Sequence, residues 1–218
     1  MYLTHLVLPK TAANAQLHAE LADNPYAEHQ ALWALFGEHA PGSTQPFLHR
    51  ADRTAVGIEV YLISERPPVH TEPWTARSKE FAPALRAGQR LSFRMRFCPV
   101  IDKAQGPGKR SVRTNAVMDA YRKEEGKRPL LQVANDVAKT WLDARAAAAG
   151  ATFLSVNADA YVAANITQKG RTFKTPLLDV SGELEVVDPA LFLARVHQGW
   201  GKSRYAGCGL MLLSRAQG

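Results

Sequence analysis

The chain has 218 residues, enough for one large domain or two small ones, since domains usually hold about 100 to 150 residues. With 46% hydrophobic and 22% charged residues, its composition is that of a globular protein and excludes the disordered, collagen-like and coiled-coil classes. The 27 Lys and Arg residues outnumber the 20 Asp and Glu residues, and the formal charge of +7 favours polyanionic partners without identifying them.

The sequence also indicates where the protein works. Cys98 and Cys208 are its two cysteines and lie far apart, which excludes a disulfide framework and a cysteine-rich zinc site. We therefore expect a reducing, cytoplasmic setting. The first ten residues lack a basic n-region, and no run approaches the roughly 20 apolar residues of a membrane helix, so no membrane partner is expected. The histidines show no metal-ligand spacing, so neither a metal nor a cofactor is expected.

The first half of the chain predicts a strand, a helix and a hairpin in that order. The opening MYLTHLVL over 1–8 alternates like a strand, and an Asn-Pro pair then begins a helix from about Pro25 to Phe36. Two extended segments, Phe47 to Arg53 and Ala55 to Ser64, predict a hairpin. A segment near Ser78 to Leu85 is predicted to be either a closing strand or a helix, and the pattern does not choose between them.

The second half repeats this rhythm. Strict alternation over 91–98 predicts a strand with one apolar face and two arginines on the other. A long amphipathic helix is predicted from Leu130 to a glycine stop at Gly150. The basic, glycine-containing stretch before that helix is predicted to be a loop. The remaining elements are two strands, a capped helix and a final strand, over 152–164, 177–187, 189–199 and 210–213.

This order of elements predicts the fold. The order β, α, β, β, α, β is that of a split βαβ unit, and the first half shows a looser version of it. We therefore predict an α+β protein with two tandem ferredoxin-like (RRM-like) βαββαβ domains, over residues 1–88 and 89–218. The Pro25 helix would lie in the first domain, and the basic segment and a glycine-rich loop in the second.

Basic residues are concentrated between Arg86 and Arg128. This segment holds 12 Lys and Arg against 4 Asp and Glu, a net charge of 12 − 4 = +8. Such a concentration suits contacts with phosphates along a nucleic acid backbone, although an ordinary solvated surface is the alternative. The candidate RNA-binding residues here are Arg94, Arg96, Lys109, Arg110 and Arg113.

A glycine-rich segment, QGWGKSRYAGCGL, lies at 198–210. Its glycines allow backbone N–H groups to approach an anion, and two basic side chains add positive charge. Val196 stands where a nucleotide-binding P-loop needs glycine, so nucleoside triphosphate binding is not expected, and simple tight-turn geometry is the alternative. The candidate RNA-binding residues of this loop are Gly199, Gly201, Gly207, Gly209, Lys202 and Arg204.

Tyr26 and His29 lie three residues apart on the first helix and therefore share a face near its N-terminus. There the helix dipole disfavours a charged imidazole and keeps a neutral base available, while a tyrosine hydroxyl can donate to a developing negative oxygen. This pair suits metal-free RNA cleavage, in which a 2'-hydroxyl attacks its neighbouring phosphate. The alternative is an amphipathic helix whose His and Tyr merely flank Trp33.

Taken together, these segments resemble the CRISPR-associated repeat-RNA endoribonucleases of subtype I-E systems, the CasE family. The resemblance covers the whole chain, and the family has tandem ferredoxin-like domains. It rests on the opening MYLTHLVL and on YAEHQALWALF at 26–36, LSFRMRFCPV at 91–100 and QGWGKSRYAGCGLMLL at 198–213.

The resemblance implies an activity and partners. A family member cleaves the CRISPR precursor at the base of each repeat hairpin without metal and leaves a 2',3'-cyclic phosphate on the guide RNA. It then stays on this stem-loop RNA among the other Cascade subunits. Through the pattern Y-x-x-H-Q-x-L-W, the resemblance implies that His29 is the general base or acid and that Tyr26 positions the substrate and stabilises charge. The resemblance does not decide whether His29 acts as the base or as the acid.

His18 is a rival for the catalytic position, because the stretch before Tyr26 is longer than the family leads us to expect and contains a Gln-Leu-His sequence of its own at 16–18. We favour His29, which is followed by the family's Gln, Leu and Trp residues. Three other functions remain as alternatives: a non-catalytic RNA-binding subunit of the same fold, a small phosphate-ligand enzyme that uses the glycine loop, and a purely structural assembly protein.

Overall fold

The computed structural model describes residues 1–22, 24–37, 45–168 and 170–216. By proximity of their Cα atoms, the residues group into two compact units. The first unit comprises Met1–Ala84, Ala164–Thr175 and Val196–Leu210, and the second comprises Leu85–Ala163, Pro176–Arg195 and Met211–Gly218. The first crossing between units lies close to residue 88, but two later segments return to the first unit. The contiguous domains 1–88 and 89–218 stay a prediction.

The first unit contains a four-stranded antiparallel sheet of order β2-β3-β1-β4. In the central pair, Leu6 lies opposite Val60. This is the strand order of a ferredoxin-like sheet, and the predicted strand and hairpin are confirmed. The strands are β1 (Tyr2–Pro9), β2 (Phe47–Arg53), β3 (Gly57–Ser64) and β4 (Thr75–Glu80).

Two helices belong to this unit, α1 (Ala15–Leu21) and α2 (Pro25–Ala34). Alternate strand residues and Leu32 of α2 form one buried core, because they present apolar side chains to the same side of the sheet. The segment near 78–85, for which strand and helix were both open, contributes to strand β4. Residues 65–74 join β3 to β4 without a helix, so this unit lacks the second helix of the predicted βαββαβ order.

The second unit has a sheet of order β10-β5-β9-β8, which is again ferredoxin-like when the strands are counted within the unit. The ends of some elements extend into segments assigned to the first unit. In chain order the elements are β5 (Arg90–Phe97), β6 (Val100–Lys103), β7 (Val112–Asn115), α3 (Ala116–Lys123), α4 (Leu130–Ala146), β8 (Ala151–Gln168), β9 (Arg171–Val186), α5 (Pro189–Gln198) and β10 (Met211–Arg215).

Strand β5 has the two faces that its alternation predicts. Its apolar side chains are buried, and the ring of Phe97 stacks on Trp141 of α4 with centroids 4.3 Å apart. Arg94 is exposed on the opposite face, and Arg96 is partly exposed there. The tandem ferredoxin-like, α+β fold is therefore confirmed in both sheets.

One part of the secondary-structure prediction is wrong. The basic stretch before α4, predicted as a loop, contains the hairpin β6–β7 and the helix α3. Its strands have only four residues each, too few for a period of two to be recognised. The cap of α3 was readable, since Asn115 accepts a hydrogen bond from the backbone N–H of Met118 at 3.2 Å.

Among the described residues, every helix falls short of the length or the apolar character that a membrane span requires.

Candidate active site

Helix α2 presents Tyr26 and His29 within the first unit. Asn24 caps the helix, its Oδ1 accepting a hydrogen bond from the backbone N–H of Tyr26 at 3.1 Å, and Pro25 follows at the first helical position. The ring centroids of Tyr26 and His29 lie 5.9 Å apart. The predicted shared face is therefore present, with both side chains on the first turns of a capped helix.

His29 is nearly buried, with 6% of its surface exposed. Its ring is surrounded by Trp33 at 5.4 Å, Phe47 at 5.8 Å and His49 at 6.1 Å between centroids. Within the described residues, Nδ1 has no hydrogen-bond partner. The pKa of His29 is lowered to about 4. Burial is the largest cause, the neighbouring His49 also lowers the pKa, and Glu28 raises it. The imidazole is therefore neutral near pH 7.

A buried carboxylate lies beside this histidine pair. Oε1 of Glu28 is 3.7 Å from Nε2 of His49, and Oε2 is 3.4 Å from Nη1 of Arg53. Glu28 is 5% exposed, so an opposite charge is needed to offset its desolvation. Arg53 supplies that charge and also donates through Nη2 to the carbonyl oxygens of Leu21 and Ala22 at the end of α1.

The glycine-rich loop belongs to the same unit, and its short helical turn at 204–206 packs against α2. Tyr205 of this turn meets the ring of Tyr26 edge-on, with centroids 6.4 Å apart. Its hydroxyl lies 3.4 Å from Oγ1 of Thr175. The structure thus brings a second tyrosine to α2.

All four predicted loop glycines adopt positive φ angles, between 71° and 99°. At Gly199 a Cβ atom would lie 2.7 Å from Cδ1 of Leu48, so glycine is required for packing there. At Gly207 a Cβ atom would lie 3.7 Å from Nε2 of His49, so the loop backbone passes close to the histidine pair. Gly201 is exposed, whereas Gly209 is buried against the backbone of Trp200.

The two basic residues of the loop are exposed. Arg204 donates from Nη2 to the carbonyl oxygen of Gln198 at 2.5 Å, which ties its guanidinium to the end of α5. Lys202 lies on the preceding turn.

The other candidate RNA-binding residues belong to the second unit. Arg96 makes a two-pronged ion pair with Asp179, with both N–O distances 2.8 Å, so its charge is largely neutralised. Nε of Arg113 lies 3.7 Å from Oδ1 of Asp102, across the β6–β7 ladder. Within the described residues, no acidic partner is found for the remaining three candidates, which are exposed: Arg94, Lys109 and Arg110.

His18 lies elsewhere in the first unit. It is on α1, and its Nε2 donates to the carbonyl oxygen of Pro9 at 3.1 Å. Among the described residues, the rings that lie near His29 are those of Tyr26, Trp33, Phe47 and His49, and His18 is not one of them. The geometry therefore favours His29 over His18.

Sequence reasoning missed three members of this site: Glu28, His49 and Tyr205. Glu28 and His49 come from different elements, and no spacing along the chain connects them. Tyr205 had a readable signal, because it is a tyrosine within a run of glycines and basic residues. Within the described part of the chain, no group of three or more His, Cys, Asp or Glu residues has the arrangement of a metal site.

Known proteins match this chain over most of its length. The family described as CRISPR associated protein matches residues 1–215. The CRISPR-associated endoribonuclease Cse3 of Thermus thermophilus is 30% identical, over 97% of this chain and 98% of its own length. The CRISPR system Cascade subunit CasE of Escherichia coli is 26% identical, over 87% of this chain and 91% of its own length.

A solved structure agrees with these relatives. The structure of Thermus thermophilus Cse3 bound to an RNA representing a pre-cleavage complex has a TM-score of 0.73 and 25% sequence identity, over 98% of each chain. The resemblance to the CasE family is thereby confirmed, and the chain belongs to the family of CRISPR-associated proteins that includes Cse3 and CasE.

Proposed function

We propose that this protein is a CRISPR repeat-RNA endoribonuclease and that His29 and Tyr26 carry the chemistry. The observation that carries the proposal is the contact of Tyr26 with a nearly buried, neutral His29 on one capped helix, in a chain of this family. The relative Cse3 is a CRISPR-associated endoribonuclease, and a solved Cse3 structure contains RNA representing a pre-cleavage complex.

The reaction is a transfer within the RNA backbone. The 2'-oxygen attacks the neighbouring phosphorus, a new P–O2' bond forms, and the P–O5' bond breaks. The 2'-hydroxyl loses a proton, and the leaving 5'-oxygen gains one. The products are a 2',3'-cyclic phosphate and a 5'-hydroxyl, and this balance needs no metal ion or redox partner.

His29 acts as the general base in this proposal. With a pKa lowered to about 4, its imidazole is neutral at pH 7 and able to accept the 2'-hydroxyl proton. The same pKa leaves very little imidazolium to serve as an acid in the free protein. A bound phosphate would raise this pKa through its negative charge, so the protonated base can return the proton to the leaving oxygen.

Tyr26 donates a hydrogen bond to the phosphate oxygens, on which negative charge increases in the transition state. Basic side chains grip the stem of the RNA by its phosphates, because double-stranded RNA is recognised mainly by shape and backbone. Arg94, Lys109 and Arg110 are the best placed for this, since they are exposed and carry no acidic partner within the described residues.

The relative CasE is a Cascade subunit, and we extend that partnership to this chain. In this proposal the protein stays on the stem-loop after cleavage and joins the other subunits as part of the ribonucleoprotein. Its two buried thiols, Cys98 and Cys208, suit the reducing cytoplasm where such a complex would assemble.

The test is single-turnover cleavage of the host's own CRISPR repeat hairpin in excess EDTA. We expect the wild-type protein to cut, and His29→Ala to bind the RNA without cutting it. A substrate with 2'-deoxyribose just upstream of the cut should remain intact. His18→Ala is the matched control and should cut normally; loss of cutting in this variant would move the catalytic role to α1. Tight binding without cutting by the wild type would instead show a non-catalytic subunit.

A further inference from the structure

We propose that His49 is a positioning residue of the cleavage reaction, held between His29 and the Glu28–Arg53 pair. It keeps the imidazole of His29 oriented and unprotonated, so that this ring can accept the proton of the attacking 2'-hydroxyl. This inference rests on the proposed role of His29 as base. It concerns a residue that would not touch the RNA and would act entirely through its neighbour.

The first support is the burial of His49. It lies on β2 with 0% of its surface exposed, and neither ring nitrogen has a hydrogen-bond partner within the described residues. Burying an imidazole without such partners costs free energy that an apolar side chain at the same place would not cost. A buried polar group without such partners needs an explanation, and a role in catalysis is one of them.

The second support is the position of the two rings. The rings of His29 and His49 are nearly parallel, at 23°, with centroids 6.1 Å apart. Phe47 contacts both of them, at 5.8 Å and 5.6 Å between centroids. His29 therefore has little freedom to turn, since its neighbours on β2 and Trp33 on its own helix enclose it.

The third support is the arrangement of charge around His49. From α2 it is faced by His29 and by the carboxylate of Glu28, 3.7 Å away. Arg53, on the same strand, forms an ion pair with this carboxylate, with Nη1 and Oε2 3.4 Å apart. The glycine loop offers Gly207, which has no side chain, and the neighbouring Arg50 on β2 is bound to Asp52.

These charges act on His29 in opposite directions. The electrostatic effect of His49 lowers the pKa of His29, whereas that of Glu28 raises it. Removing His49 should therefore make His29 easier to protonate, and removing the Glu28 charge should make it harder. A residue that only fills space would not produce this pair of opposite effects.

The experiment is the pH dependence of single-turnover cleavage between pH 4 and 8, with saturating protein and EDTA present. For His49→Gln we expect the acid limb of the profile to move to higher pH than in the wild type. For Glu28→Gln we expect it to move to lower pH. The matched control is His5→Gln. His5 also faces a carboxylate, that of Glu59 at 3.4 Å, but it lies on the opposite face of the sheet from His49. Its profile should not move.

His49→Phe provides a second variant, and NMR titration of the His29 ring in the folded protein provides a second measurement. The titration midpoint of His29 should rise in either His49 variant, whether or not the variant cleaves. A uniform loss of rate at every pH, with an unchanged His29 midpoint, would overturn the inference and leave His49 as packing. Failure of the proposed function is distinct from this result: the wild type would not cut, or His29→Ala would still cut.

Discussion

Asn24 joins the start of helix α2 to Thr167, which is 143 positions away in the chain. Its Oδ1 accepts hydrogen bonds from the backbone N–H of Tyr26 at 3.1 Å and from that of Thr167 at 3.3 Å. Its Nδ2 donates to the carbonyl oxygen of Thr167 at 3.2 Å. One side chain thus caps α2 and fixes its first turn to the end of β8, inside the first unit.

We predict that Asn24→Ala slows cleavage of bound RNA as well as lowering stability. Loss of a helix cap costs about 1 kcal/mol, and the first turn that carries Tyr26 would also lose its attachment to Thr167. The measurements are urea unfolding and single-turnover cleavage. Asn115→Ala is the matched control, because Asn115 caps α3 in the second unit. It should lower stability to a similar extent and leave cleavage of bound RNA unchanged; equal slowing in both variants would contradict the prediction.

A second prediction concerns the two tyrosines that meet at 6.4 Å. Tyr26→Phe removes one hydroxyl and keeps the ring, so we expect cleavage to slow by roughly 100-fold with RNA affinity retained. Tyr205→Phe is the comparison, since its hydroxyl faces Thr175 and has no assigned role in the chemistry. The rate should change little in that variant. A fall confined to Tyr205→Phe would exchange the roles of the two residues.

The lowered pKa of His29 also predicts a pH dependence of folding. The folded value of about 4 lies below the unfolded value of 6.5, so the unfolded chain binds more protons between these limits. Stability therefore falls as the pH drops from 6.5 to 4, by up to about 3 kcal/mol from this group. Urea unfolding across this range checks it. In His29→Gln the loss of stability over the same range should be smaller, and identical curves would contradict the prediction.

Arg94 and Arg96 point to the same side of β5 and should behave differently. Arg96→Ala leaves the partly buried carboxylate of Asp179 without its partner, so we expect a loss of about 2 kcal/mol in stability. Arg94→Ala should leave stability unchanged, weaken RNA binding and reduce the slope of log K against log salt by about 1. Denaturation and salt-dependent binding measure the two effects. An unchanged salt slope in Arg94→Ala would remove Arg94 from the RNA contact.

Local patterns along the chain were sufficient for most of the fold. The alternation in β5 and the Asn-Pro start of α2 are confirmed, because strand faces and helix caps depend on residues close in sequence. The β6–β7 hairpin was missed for a related reason: four-residue strands in a basic stretch leave no period to detect. The strand between Thr75 and Glu80 is mostly exposed and shows no apolar face, which is why helix and strand both remained open.

The candidate site, like the fold, could be predicted from the sequence only where its residues are close together in the chain. Tyr26 and His29 could be paired from the sequence by itself, since residues three positions apart on a helix share a face. Three other contacts are visible only in the tertiary structure, because each joins elements far apart in the chain. They are the stacking of His49 with His29, the edge-on contact of Tyr205 with Tyr26, and the ion pair of Asp179 with Arg96. The charged residues show most clearly what sequence and structure each contribute. A count of basic residues predicts a polyanion-binding segment. The three-dimensional positions of the acidic side chains decide which of those positive charges remain available to bind RNA.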